Sequence, residues 1–185
     1  MCVQVRALNR VGSGPWSEAL SLVSGAGPPS APAPPSASAR SPHALLVRWA
    51  EPASNGAAVT EYRLELAVGS GAFQPVYTGA ATQHEARGLQ PATAYRLRVS
   101  ATNSAGAGPS SEPTVTVTPA ASPAAVTCVE AEPTATSLAL SWQPPADHGA
   151  ELLHYTVEVS ERLCSTAGPQ PRLTVSQLAP DTVYR

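Results

Sequence analysis

Residues Leu89-Gln-Pro-Ala-Thr-Ala-Tyr-Arg-Leu-Arg-Val-Ser-Ala101 carry two signals at once. Tyr95, Leu97, Val99 and Ala101 alternate with Arg96, Arg98 and Ser100, the period of two that puts one set of side chains on a buried sheet face and the other in water. The opening Leu-x-Pro-x-Thr-x-Tyr-Arg returns as Leu178-Ala-Pro-Asp-Thr-Val-Tyr-Arg185, 89 positions on. A β-strand is therefore expected, together with a repeating unit that contains it.

Working outward, the repeat extends in both directions. Val5-Arg-Ala-Leu-Asn-Arg-Val-Gly-Ser-Gly-Pro-Trp-Ser-Glu18 aligns with Val99-Ser-Ala-Thr-Asn-Ser-Ala-Gly-Ala-Gly-Pro-Ser-Ser-Glu112, with Asn9 and Asn103 94 positions apart and eight of fourteen residues identical. Trp49-Ala-Glu-Pro52 aligns with Trp142-Gln-Pro-Pro145, and Tyr62-Arg-Leu-Glu-Leu66 with Tyr155-Thr-Val-Glu-Val159, at an offset of 93. The fall from 93 to 89 places a four-residue deletion between the Tyr155 strand and Leu178. A unit of about 90 residues is too long for a solenoid repeat and has the size of a β-sandwich.

Inside the unit the alternation recurs. Leu45, Val47 and Trp49 are set against Leu46 and Arg48, and Tyr62, Leu64 and Leu66 against Arg63 and Glu65. Leu138, Leu140 and Trp142, then Tyr155, Val157 and Val159, repeat the pattern. Twenty Pro and thirteen Gly fall in clusters between these runs, the punctuation of an all-β chain with many turns.

Charged residues are 13% of the chain and the formal net charge is −2, which leaves no broad field to attract nucleic acid or anionic lipid. Cys2, Cys128 and Cys164 form no close pair and cannot all pair within one chain, so they are expected to be small buried or edge hydrophobes in a reducing compartment. Asn9, Asn55 and Asn103 lie in no Asn-x-Ser/Thr acceptor. Met1 to Arg10 alternate and do not read as a signal peptide, and no apolar run approaches the roughly 18 residues of a transmembrane helix.

The ordered landmarks resemble the fibronectin type III family: Trp then Pro (Trp49 and Pro52; Trp142 and Pro145), an Asn-Gly or His-Gly turn (Asn55-Gly56; His148-Gly149), a following Tyr (Tyr62; Tyr155), and Leu-x-Pro-x-Thr-x-Tyr (Leu89, Pro91, Tyr95; Leu178, Pro180, Tyr184). The last is similar to the tyrosine corner, in which the hydroxyl ties its strand to the preceding connection. The resemblance implies tandem immunoglobulin-like β-sandwiches. Val126-Thr-Cys128, Pro145-Ala-Asp-His-Gly149 and Gly106-Ala-Gly-Pro109 with Ser111-Glu112 are similar to the fibronectin type III domain-containing protein 3 family. That finer resemblance implies a long array anchored on endoplasmic reticulum or Golgi membranes through a segment absent from this chain; the unpaired cysteines and missing glycosylation acceptors lead to the expectation that it faces the cytosol.

One complete and two partial units are expected: 1–24 holds the last two strands of a module, 25–31 is a Pro/Gly linker, 32–118 a complete module, 119–121 a linker, and 122–185 a module cut at its tyrosine corner. The strands of the first piece are expected around Cys2 to Asn9 and Ala19 to Val23. The middle module is expected to order on its own, with 122–185 marginal unless complemented, either by a domain swap with 1–24 of another copy or, as the favoured expectation, by the rest of a longer chain of which these residues are a part. The linker Gly25 to Pro35 is expected to be an extended spacer, and Pro32-Ala-Pro-Pro35 fits the P-x-x-P pattern read by SH3-type grooves.

No catalytic constellation, cofactor motif or metal cluster is legible. His43, His84, His148 and His154 are scattered, with His148 expected as a solvated turn residue. Glu61, Glu65, Glu151 and Glu158 read as solvated faces, and Gly69-Ser-Gly71 as a hairpin loop. Neither a Gly-x-Ser-x-Gly elbow nor Arg-Gly-Asp occurs. Trp16, beside Pro15, is the aromatic placed as a contact anchor or as a ring packed on its own module. The expected function is a non-catalytic interaction segment of a membrane-associated array that binds protein partners and no nucleic acid. The alternatives are a passive spacer and an extracellular adhesion or receptor segment.

Overall fold

The computed structural model describes residues 2–159 and 162–184, and none of them is helical. Every element is a strand or a turn, as the period-two alternation requires.

The middle unit is a two-sheet sandwich. One sheet runs β3 (Ser36–Ser41), β4 (Ala44–Arg48), β7 (Gln83–Arg87). The other runs β10 (Thr114–Val117), β8 (Ala94–Asn103), β5 (Glu61–Val68), β6 (Gln74–Gly79), with the short β9 (Gly106–Ala107) on the end of β8. The long β5–β8 ladder sets Leu64 opposite Val99 and Leu66 opposite Leu97, so the inward sets of two strands coincide. Leu45, Val47, Leu64, Leu97, Val99 and Ala101 have no exposed surface, and Trp49, Tyr62 and Tyr95 close the core around them. The Trp49 and Tyr62 rings meet edge to face at 5.9 Å. Gly69 to Phe73 connect β5 to β6 as the expected hairpin loop.

The unit beginning near residue 122 repeats this plan. β11 (Thr127–Pro133), β12 (Ser137–Gln143) and β15 (Arg172–Ser176) form one sheet, and β13 (Thr156–Val159) with β14 (Arg162–Ser165) another. Leu140, Trp142, Tyr155, Val159 and Val175 are its core. Trp142 N–H donates to Pro171 O as Trp49 N–H donates to Thr82 O, both at 3.0 Å. Those acceptors are 89 apart and the donors 93, so the four-residue shortening lies before Pro171, on the β13–β14 side.

The first piece shows β1 (Cys2–Val3) paired with β2 (Leu20–Ser21). These ladders are shorter than the expected strands at 2–9 and 19–23. Val5, Leu8, Val11, Leu20 and Val23 are all exposed, so alternation there has no opposing sheet among the described residues to pack against. The backbone pattern of the repeat nevertheless persists. Ser17 N–H donates to Val5 O and Gly14 N–H to Ala7 O, each at 2.9 Å; Ser111 N–H donates to Val99 O and Gly108 N–H to Ala101 O, each at 2.8 Å. Val5 N–H reaches Ser17 Oγ and Val99 N–H reaches Ser111 Oγ in the same way. Fourteen residues of similar sequence thus encode one local hydrogen-bond set in two contexts.

Candidate interaction surfaces and the linker clamp

The sequence landmarks fall at the closures of the two sandwiches. Gln90 N–H donates to the Tyr95 hydroxyl at 2.7 Å, and Ala179 N–H to the Tyr184 hydroxyl at 2.7 Å. Leu89 is buried and Pro91 half-buried at the first corner, and Leu178 packs on the core at the second, beside Pro180. Pro52 and Pro145 are half-buried three residues after Trp49 and Trp142. Burial pushes the Tyr62 phenol up from its ordinary range, helped by the Glu51 carboxylate.

The proline-rich connections are bonded structure. Gly27 N–H donates to Asn55 O at 2.9 Å, the Asn55 amide donates back to Pro28 O at 2.7 Å, and Ser30 N–H donates to Ala53 O at 3.0 Å. Ninety-odd residues later the set recurs: Ala121 N–H to His148 O at 3.2 Å, His148 Nδ1 to Ser122 O at 2.6 Å, and Ala124 N–H to Ala146 O at 2.9 Å. Asn55 and His148 both sit at left-handed φ, 53° and 51°, each followed by a glycine of positive φ. That geometry folds the side chain and the carbonyl of one residue towards the same segment, which a right-handed residue in this turn does not do.

A second set of bonds holds the first connection. Asn103, 4% exposed, donates its amide to Gly27 O, Ser54 O and Ala57 O at 2.9, 2.9 and 3.2 Å and accepts from Ala105 N–H at 2.9 Å. Gly108 lies so near that a Cβ would overlap the Pro29 carbonyl. His148 keeps its expected place in the turn and is half-buried, its ring reaching the connecting segment, and the Gly25 to Pro35 spacer is hydrogen-bonded at Gly27 and Ser30 to the turn of the second unit. Pro32 and Pro35 are buried against the sandwich, which leaves Pro32-Ala-Pro-Pro35 without the open face that a peptide groove requires.

The outer face of the β5–β8–β10 sheet has a different character. Phe73 lies under two guanidinium groups, Arg98 at 4.1 Å and Arg96 at 4.9 Å from its ring centroid. Arg98 bonds Glu65 at 2.6 Å and Arg63 approaches the same carboxylate at 3.5 Å. Glu65 is consequently only 14% exposed, which corrects its reading as a solvated acid: alternation places it outward, and its cross-strand partner Arg98 then covers it. Beside Arg96 on the edge strand stand Val115 and Val117, both more than half exposed. On the other sheet Arg87 bonds Glu85 at 3.0 Å, and that hydrogen bond holds the Glu85 carboxyl below its ordinary range.

Trp16 is 56% exposed, with the Arg6 guanidinium 4.7 Å from its ring centroid, so its own piece contributes a partner. Cys2 and Cys128 are exposed, Cys164 is half-buried, and none is paired. Among the described residues no three of His, Cys, Asp and Glu gather where a metal would bind. His43, exposed in the β3–β4 turn, has its Nδ1 2.9 Å from Leu89 O, and half-buried His84 stacks on Tyr77 at 4.7 Å. An apolar recess of about 190 Å³, walled by Val129, Leu140, Trp142, Tyr155 and Val157, lies on the open flank of the core after residue 122.

Comparison with known proteins extends these observations. The fibronectin type III domain profile matches residues 30–117 and 121–185. The chain is 40% identical over 192 aligned residues to mouse fibronectin type-III domain-containing protein 3A, covering 98% of this chain and 16% of the relative. It is 34% identical to bovine receptor-type tyrosine-protein phosphatase F over 98% of the chain and 10% of that protein. The solution structure of the sixth fibronectin type III domain of human fibronectin type III domain containing protein 3 superposes with TM-score 0.50 at 43% identity, covering 55% of this chain and 96% of that one. The chain thus spans about one sixth of the length of the first of these relatives.

Proposed function

The chain belongs to the fibronectin type III family, and from that premise we propose that it is a non-catalytic protein-interaction segment of a membrane-associated array, which scaffolds partners on its sheet faces. The observation that carries this reading is the outer face of the β5–β8–β10 sheet. Phe73, Arg96 and Arg98 form a half-buried aromatic and cationic cluster flanked by exposed Val115 and Val117. Aromatic side chains and arginine are the residues that protein interfaces concentrate, and a preformed stack loses little side-chain freedom on binding. Being related to interaction modules supports the reading by analogy, since a fold alone does not define a function.

A photo-crosslinking residue in place of Val115 of the full-length protein, irradiated in cells, tests it. The expected result is a discrete crosslinked protein that an added Arg96→Glu substitution reduces at least about tenfold, the scale of a hot-spot loss. Absence of any crosslink at this face, with the protein folded and in place, favours the passive spacer. The clamped connections are the specific observation on the spacer's side, since they make distance between modules reproducible.

We place the array on endoplasmic reticulum or Golgi membranes, held by a segment outside these residues and facing the cytosol. Three unpaired thiols, two of them exposed, support a reducing compartment over the extracellular alternative. Protease added outside sealed microsomes is expected to digest the array; protection until detergent is added contradicts this placement.

A further inference from the structure

The connection between the second and third units has no slack, and what closes it is a contact between a turn and a corner. Ala92 N–H of the second unit donates to Pro119 O at 3.0 Å, while Thr118, 2% exposed, is bonded to Gln90 O and Thr93 N–H of the same corner. From Ala121 onward the chain is bonded to the third unit through His148 and Ala146. Only Ala120 lies between a residue held by one unit and a residue held by the other. A flexible tether needs several unbonded residues, so this segment works as a joint.

The two units also touch. Gly149, with φ of 85°, packs so near the corner that a Cβ there would overlap the Cβ of Ala92 and lie 3.8 Å from that of Ala120. Ala92 itself has φ of 46°, a left-handed conformation that turns its methyl group outward at the corner between Pro91 and Thr93. We infer that Ala92 and Gly149 form a turn-on-corner joint that fixes the orientation of the second and third units, with the left-handed corner of one module as the seat for the glycine turn of the next. Gly149 therefore answers to two demands, the positive φ of its turn and close approach of the neighbouring module. The corner of the third unit has the same backbone form at Asp181, φ 52°, which shows that an Asx residue holds this conformation without disturbing the corner.

Residual dipolar couplings on the weakly aligned 185-residue chain test the joint. A single alignment tensor is expected to fit the amides of β4, β5 and β8 together with those of β12 and β15. Ala92→Asn keeps the left-handed corner but places a longer side chain against Gly149; it is expected to abolish the shared tensor while the second unit's couplings still fit one of their own. Ala92→Asp, which copies the residue at Asp181, is expected to do the same. Separate tensors in the unsubstituted chain, or third-unit couplings averaged towards zero for any reason, overturn the inference. So does a shared tensor left unchanged by both substitutions.

Discussion

Leu97→Ala is expected to destabilise the middle sandwich by about 2–5 kcal/mol, the range for truncating a buried leucine in a packed core. Leu97 has no exposed surface, faces Leu66 across the β5–β8 ladder and lies among Leu45, Leu64 and Val99. Both sheets contribute to that cluster, so neither collapses into the cavity without shifting a paired strand. A small domain commonly holds about 5–15 kcal/mol, and the loss is therefore a large fraction of the whole. Urea unfolding followed through the amide signals of β5 and β8 measures it. Val115→Ala, on the exposed side of β10, is expected within about 0.5 kcal/mol of the unsubstituted chain. A Leu97→Ala cost as small as that of Val115→Ala contradicts the core described here.

Asn103→Ala is expected to cost about 2–3 kcal/mol, because a buried amide that serves three carbonyls and one N–H leaves several groups without partners when it is removed. Its effect should also be directional in space. Gly27 O and Ser54 O belong to the connection and the turn that clamp each other, so exchange at the Gly27 amide is expected to accelerate more than exchange in β4 or β7. Asn103→Asp keeps the acceptor for Ala105 N–H but sets a carboxylate against the same carbonyls, and is expected to be no milder. A mild Asn103→Asp alongside a severe Asn103→Ala would shift the weight from the donated bonds to the Ala105 turn.

Much of this architecture was legible because its determinants are local. Tyr95, Leu97, Val99 and Ala101 alternate with polar residues, and the structure buries all four. The fourteen-residue repeat at Val5 and Val99 reproduces its hydrogen bonds even though no sheet covers the first copy among the described residues, since those bonds run within one loop and its two flanks. The length of β1 and β2 was not legible, because the extent of a ladder depends on what packs against it. Glu65 misled for a related reason: strand alternation gives the direction of a side chain and says nothing of a cross-strand arginine that then covers it.

The clamp escaped sequence reading although its parts were in view. The sequence marks Asn55-Gly56 and His148-Gly149 as turns and the prolines as an extended segment, but the bonds join positions 27 and 55 or 121 and 148. Nothing in a local pattern announces such pairs. The turns and the connecting residues recur at offsets of 93 and 94, as any two parts of a tandem repeat do, so the offsets by themselves do not reveal the bonds between them. The Phe73 face was likewise invisible, because Phe73 stands in a loop and meets Arg96 and Arg98 only through the β5–β8 pairing.

The proline-rich connections are parts of the modules and not free tethers between them. Hydrogen exchange at single-amide resolution on the 185-residue chain measures this most directly, at Gly27, Ser30, Ala121 and Ala124. Slow exchange is expected at all four, with the two pairs protected to a similar degree as the same bonds recur. Exchange at the rate of an unstructured peptide at these amides, with the strands of both sandwiches protected, would contradict it and leave the modules joined by ordinary flexible linkers.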